Sequence, residues 1–257
     1  MKPKALILQA HGTNRDYDVA EALTLAGADP HPVPLNHLRA GKKPFADYQM
    51  LVVAGGFSYA DSLGAGKLLA LDLNSYFNEE ISAFVESGKP VIGICNGFQA
   101  LVKSGILPAT SENGEATLTF NEQGHFECRW VYLAPVSQTC IWTKDLEESI
   151  ICPIAHGEGN FQASRSFPLS SFIESDQVAL TYTYPNGVPA NGDYPANPNG
   201  SILDIAGICN PQGNVLGLMP HPENHIYPHQ HPQWTRGVKG NSGLALFENG
   251  VKYASQL

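Results

Sequence analysis

Strand-sized apolar runs alternate with helix-sized stretches through the first hundred residues, and this rhythm restricts the fold more than any other feature. A strand buried on both faces reads as an unbroken apolar run, and joining it to a parallel neighbour takes a crossover helix. Ala5–Leu8 is such a run, followed by Asn14 as a helix N-cap and an Ala/Leu-rich helix to about Ala28. His31–Leu35 is a weaker strand candidate, crowded by Pro30, Pro32 and Pro34. Met50–Ala54 is a strong one that ends at Gly55-Gly56. One or two helices over Ala65–Ser87 stop at Gly88 and Pro90. Val91–Ile94 then runs straight into Cys95 and a helix at Asn96–Lys103. The expected fold class is α/β: one domain over residues 1–257, an αβα sandwich with a mostly parallel central sheet and a smaller antiparallel extension.

The extension comes from the second half. Ala116–Phe120, Phe126–Ala134, Ile150–Ala155 and Val178–Thr183 predict strands with no helix of ordinary length between them, which suits antiparallel pairing or a second sheet. Tyr184–Gly200 holds 11 Pro, Gly and Asn in 17 residues and must be loop. Ile202–Ile208 and Val215–Met219 predict two more strands, Pro220–Pro232 is rich in Pro and His, and a closing helix covers about Ser242–Ala254.

Composition excludes several functions. With 15 Lys and Arg against 24 Asp and Glu, the net charge of −9 leaves no basic face for a general nucleic-acid binder. No apolar run approaches the roughly 20 residues of a membrane span. The N-terminal run meets Gln9 and His11 too soon for a signal peptide. The five cysteines are odd in number, widely spaced and free of any CxxC pair, which argues against a disulfide framework or structural zinc and for a reducing, cytoplasmic setting. Asn199-Gly200-Ser201 fits a glycosylation sequon, but without a secretory signal it reads as a turn.

The sharpest motif is Gly93-Ile94-Cys95-Asn96-Gly97-Phe98-Gln99, a G-x-C-x-G between a strand and a helix. This is the sulfur version of a nucleophile elbow: small flanking residues let the backbone bend sharply and leave the side chain presented, and the helix N-terminus behind it favours a thiolate. Cys128, Cys140, Cys152 and Cys209 lie in or beside apolar strand candidates and read as structural.

A cysteine nucleophile needs a base, and Met219-Pro220-His221-Pro222-Glu223 follows a strand, at a sheet edge where sites form. The prolines impose extended geometry on their predecessors, so residues 221 and 223 project the same way and Glu223 can orient the His221 imidazole. Gly55-Gly56-Phe57-Ser58 also follows a strand. It is either a strand-terminating turn or, with the Asn96 N–H, an oxyanion cradle. His156-Gly157-Glu158-Gly159-Asn160 either lines the pocket or turns the chain. Gly64-Ala65-Gly66-Lys67 fails the phosphate-loop pattern, because Leu68 stands where Ser or Thr is required. His221, His225, His229 and His231 are interrupted by prolines and predict a surface loop, with no metal site.

Together these segments resemble the class I (triad) glutamine amidotransferases. Gly55-Gly56-Phe57-Ser58-Tyr59, Ala155-His156-Gly157-Glu158-Gly159 and Met219-Pro220-His221-Pro222-Glu223 are further similar to those of the glutaminase components of phosphoribosylformylglycinamidine synthases. The resemblance implies Cys95 as nucleophile, His221 as acid/base and Glu223 as its orienting partner. It implies glutamine-binding roles for Gly55, Gly56, Phe57, Asn96, Gln99, His156 and Gly157, with oxyanion N–H groups from Gly56 and Asn96. It implies no cofactor on this chain, with ATP and Mg on a large synthetase subunit as partner and a small bridging subunit as a further one. Ala60 and Asn224 depart from the Gly and Arg common there. A small cysteine hydrolase or stress protein with the same elbow, and an inactive assembly subunit, are the rival readings; the paired H-P-E and Gly-Gly-Phe segments speak against the first, and the intact Cys95, His221 and Glu223 against the second.

Overall fold

The computed structural model describes residues 2–41, 44–108, 116–163, 169–240 and 242–257. In chain order the elements are β1 (Lys4–Gln9), α1 (Asp16–Leu25), β2 (Asp29–Pro34), α2 (Leu35–Arg39), β3 (Met50–Val53), α3 (Lys67–Tyr76), α4 (Asn78–Glu86), β4 (Val91–Ile94), α5 (Asn96–Lys103), β5 (Ala116–Thr119), β6 (Glu127–Pro135), β7 (Ile150–His156), β8 (Asn160–Ala163), α6 (Leu169–Glu174), β9 (Val178–Thr183), β10 (Ile205–Cys209), β11 (Val215–Leu218) and α7 (Leu244–Ala254). Nine strands form one sheet in the order β2-β1-β3-β4-β11-β10-β9-β6-β7, and β5 pairs with β8 in a second, two-stranded one.

The first five strands of that order are parallel. β3, β4 and β11 are buried at every position, as strands sandwiched between helices must be. β2 is the edge, in register Pro30–Ala5, Pro32–Ile7 and Pro34–Gln9. Its prolines recur every second residue, so their missing N–H groups all face away from β1, and the ladder survives. α1 packs with α7, α3 packs on α5 and α4 packs on α3, giving the helical layers. At β11 the direction changes: it lies parallel to β4 but antiparallel to β10, and every later pairing in the sheet is antiparallel. The extension therefore continues the main sheet, with β5–β8 as a small addition.

Three local expectations change, and one resolves. Asn14 does not cap α1; Arg15 holds the N-cap position, donating its N–H to the Gly55 carbonyl at 3.3 Å, while Asn14 is packed against Gly56. The stretch 65–87, expected as one or two helices, is two, broken at Phe77, whose buried ring packs on Phe45. Ile202–Asp204 is a short 3-10 turn rather than the start of a strand, because Leu203 and Asp204 hold positive φ. The short elements β8, α2 and α6 add to the predicted set.

Candidate active site

The carboxyl ends of β1, β3, β4 and β11 lie side by side, and the chemistry-bearing segments leave from them. Cys95 sits between β4 and α5 at φ 52, ψ −108, a conformation that costs a non-glycine residue about 1–3 kcal/mol. The surrounding glycines are dictated by contact. A methyl on Gly97 would lie 1.8 Å from the Val53 carbonyl oxygen, and one on Gly93 2.5 Å from a Leu101 methyl. The elbow is thus pressed onto β3, and the Cys95 N–H is anchored on the Leu218 carbonyl of β11 at 2.8 Å.

β11 delivers His221 to the same place, where its backbone N–H bonds the Pro153 carbonyl of β7 at 2.8 Å. The His221 Nδ1 lies 2.7 Å from Oε1 of Glu223, and both side chains are buried. Gly55 lies between the two chemistries: a methyl there would stand 2.9 Å from His221 Cε1 and 3.5 Å from Cys95 Cβ. Burial alone would lower the His221 pKa. The negative charges of Glu223 and Cys95, and hydrogen bonds to both, outweigh it and push the imidazole up to about 10. Glu223 Oε2 is buried without a hydrogen-bond partner.

The cradle residues divide by what their groups already do. Phe57 donates its N–H to the Gly12 carbonyl at 3.0 Å, so of the Gly55–Phe57 loop that donor is engaged within the protein. The Asn96 side chain is fully used: Oδ1 accepts from Ser58 N–H (3.1 Å) and Oγ (2.5 Å), and Nδ2 donates to Asp61 (2.9 Å) and to Gln99 Oε1 (3.0 Å). What Asn96 offers a ligand is its backbone N–H at the open start of α5. Gln99 donates to the Glu158 carbonyl at 2.7 Å, leaving one N–H and one lone pair. Below them, the Glu158 carboxylate takes the Ala65 N–H at 3.3 Å and lies 3.7 Å from Lys103 Nζ. Burial raises the Asp61 pKa and lowers that of Lys103.

His156 and Gly157 stand at the end of β7, next to Ala155, whose carbonyl oxygen is 3.9 Å from Cys95 Sγ. Gly159 is required there, since a methyl on it would sit 2.2 Å from the His156 ring. Asn121 organises this turn and was invisible in the sequence; its only local signal is an Asn-x-x-Gly turn, closed by Gly124 N–H on the Asn121 carbonyl at 2.9 Å. Two expectations are corrected. His225 and His231 are buried, both edge-on to Trp130 at 5.1 and 4.8 Å, so the Pro/His stretch is a surface loop only in part. Cys128 is exposed, because it takes an outward position on β6, whereas Cys140, Cys152 and Cys209 are buried.

A strained cysteine elbow beside a buried histidine–glutamate pair, at the carboxyl edge of an αβα sheet, is the arrangement of a triad amidotransferase. A family model of the CobB/CobQ-like glutamine amidotransferase domain matches residues 2–254. The chain is 53% identical to the phosphoribosylformylglycinamidine synthase subunit PurQ of Treponema denticola over 268 residues, covering 98% of this chain and 99% of that one. It is 44% identical to the PurQ of Dehalococcoides mccartyi, covering 100% and 99%. A chain in the solved structure of PurLQS from Thermotoga maritima superposes with a TM-score of 0.76 at 32% identity, covering 98% of this chain and 99% of that chain. The protein belongs to the glutamine amidotransferase family of PurQ subunits.

Proposed function

We propose that the chain is the glutamine-hydrolysing subunit of a phosphoribosylformylglycinamidine synthase. The observation that carries this is the buried His221–Glu223 pair, 2.7 Å apart and packed with Cys95 over Gly55. The Cys95 thiolate attacks the glutamine carboxamide carbon, forming a C–S bond, and the carbonyl oxygen takes the negative charge. The N–H groups of Gly56 and Asn96 hold that oxyanion. The His221 imidazolium, stabilised by Glu223, protonates the amine as the C–N bond breaks, and ammonia leaves. His221, now neutral, takes a proton from water as it adds to the thioester, which releases glutamate and restores the thiolate–imidazolium pair. Gly55, Phe57, Gln99, His156 and Gly157 line the glutamine pocket.

Ammonia then passes to a large synthetase subunit, which uses ATP and Mg to convert formylglycinamide ribonucleotide to the amidine, in the cytoplasm. Kinship with the PurQ subunits and with a chain of PurLQS supports this partner and product. Glutamine hydrolysis by the chain together with its synthetase, compared between wild type and Cys95→Ala, tests the reading. Loss of glutamate formation in the variant is the expected result; undiminished hydrolysis would overturn it.

A further inference from the structure

The buried polar groups around the pocket include one whose hydrogen bonding is specified on one side and left open on the other. His156 is buried, and its Nε2 has no hydrogen-bond partner. Its Nδ1 lies 3.1 Å from Asn121 Oδ1. Which way round the Asn121 amide sits follows from its other contacts. Nδ2 donates to two carbonyl oxygens, those of His125 (3.0 Å) and His156 (2.8 Å), and Oδ1 accepts the Gly159 N–H (3.0 Å). A flipped amide would oppose N–H to N–H and oxygen to oxygen at all of these contacts. Oδ1 can only accept, so Nδ1 of His156 carries the hydrogen, and in the neutral ring Nε2 is a lone-pair acceptor.

We propose that Asn121 is a positioning residue of the glutamine site: it locks His156 in the Nδ1–H tautomer so that the Nε2 lone pair accepts an N–H of bound glutamine. This rests on reading the pocket as a glutaminase site. A buried acceptor left without a partner carries an uncompensated desolvation penalty, which a donor on the substrate removes. Among the described residues nothing competes for that lone pair with an acidic hydrogen. Glu127, opposite His156 in the β6 register, is occupied by Arg129, His125 and Tyr194. Glu158, two residues on, is held by Ala65 and Lys103. Tyr182 of β9 takes a bond from Asn199 and is kept neutral by burial, which pushes its pKa far up. The facing cationic group is His221, backed by Glu223 and Cys95. Burial and that charge push His156 down to about 3, so it stays an acceptor across the working pH range.

The test has two readouts. Long-range proton–nitrogen correlation spectra of the histidine rings in the full chain should show His156 protonated on Nδ1 alone and unchanged between pH 8 and 5. An Nε2–H tautomer, or titration within that range, would overturn the proposal without touching the roles of Cys95 and His221. In Asn121→Asp a carboxylate faces Nδ1–H and favours the imidazolium, raising His156 by about 1–3 pK units and turning Nε2 into a donor. Glutamine hydrolysis with the synthetase present should then lose kcat/KM on the acid side, the pH 8 to pH 5.5 ratio rising about fourfold over wild type at the top of that range and little at its bottom. In Asn121→Ala the loss should fall on KM, by about tenfold for one hydrogen bond. Unaltered alkylation of Cys95 by iodoacetamide would show the elbow intact in both variants. A His156 pKa in Asn121→Asp unmoved from wild type in the same spectra, in a variant whose Cys95 alkylates normally, would refute the proposal.

Discussion

Replacing Gly97 by alanine should separate the geometry of the elbow from the stability of the fold. The added methyl would lie 1.8 Å from the Val53 carbonyl oxygen and 2.6 Å from its carbon, both main-chain atoms of β3 that no rotamer change can move aside. Even a tight 3.0 Å contact requires α5 and β3 to separate by about 1.2 Å, and Cys95 travels with α5. Overpacking of this kind costs about 1–3 kcal/mol, or roughly 4–8 °C in Tm at the middle of that range for a chain of this size. Misplacing a reacting group by about 1 Å costs on the order of 100-fold in rate. Gly97→Ala should therefore remain folded but hydrolyse glutamine about 100-fold more slowly in the presence of its synthetase. Gly105→Ala is the control: its φ of +82 strains alanine by about 1 kcal/mol, yet a methyl there touches nothing within 4 Å. It should lower Tm with turnover unchanged. Near-wild-type turnover in Gly97→Ala would refute the argument that contact with β3 sets the position of Cys95.

The His221–Glu223 pair gives a stability signature with a defined sign. The folded His221 pKa of about 10 lies above its unfolded value of 6.5, so the pair's contribution is fully present below pH 6.5 and is lost as pH rises toward 10. Wild type should lose more Tm than Glu223→Gln between pH 7 and 10; equal slopes would contradict the linkage. Asp204 accepts from Asn191 N–H (2.6 Å), Gly192 N–H (2.8 Å) and Asn197 Nδ2 (2.9 Å), which orders the Pro/Gly/Asn loop. Asp204→Ala should lower stability by about 2–4 kcal/mol in denaturant titration and open that loop to limited proteolysis. Among Cys128, Cys140, Cys152 and Cys209, only Cys128 is exposed. A bulky disulfide reagent should consume it first in the native chain, and Cys128→Ser should abolish that fast phase.

Much of the parallel half was legible because its strands are buried on both faces: Met50–Val53, Val91–Ile94 and Val215–Leu218 carry no polar residue. The elbow was legible because contact with β3 and α5 excludes any side chain at Gly97 and Gly93. What stayed hidden depends on partners distant in sequence. Asn121 acts through His156 and Gly159, 35 and 38 residues away, and its own surroundings mark only a turn. Asn14 had the composition of a cap, but packing against Gly56 draws it out of that position. His225 and His231 sat among prolines and suggested exposure; Trp130, about a hundred residues earlier, covers them. Gln99 was placed at the substrate by resemblance alone, and its bonds to Asn96 and Glu158 tie it as firmly to the pocket wall.

The central claim is that glutamine passes through a thioester on Cys95. Rapid quenching of the chain and its synthetase during turnover with labelled glutamine, followed by peptide mass spectrometry, addresses it directly. The account predicts a glutamyl adduct confined to the peptide containing Cys95, absent in Cys95→Ala together with glutamate release. Sustained glutamate release from Cys95→Ala, or an adduct on another residue that forms and decays at the turnover rate, would contradict it.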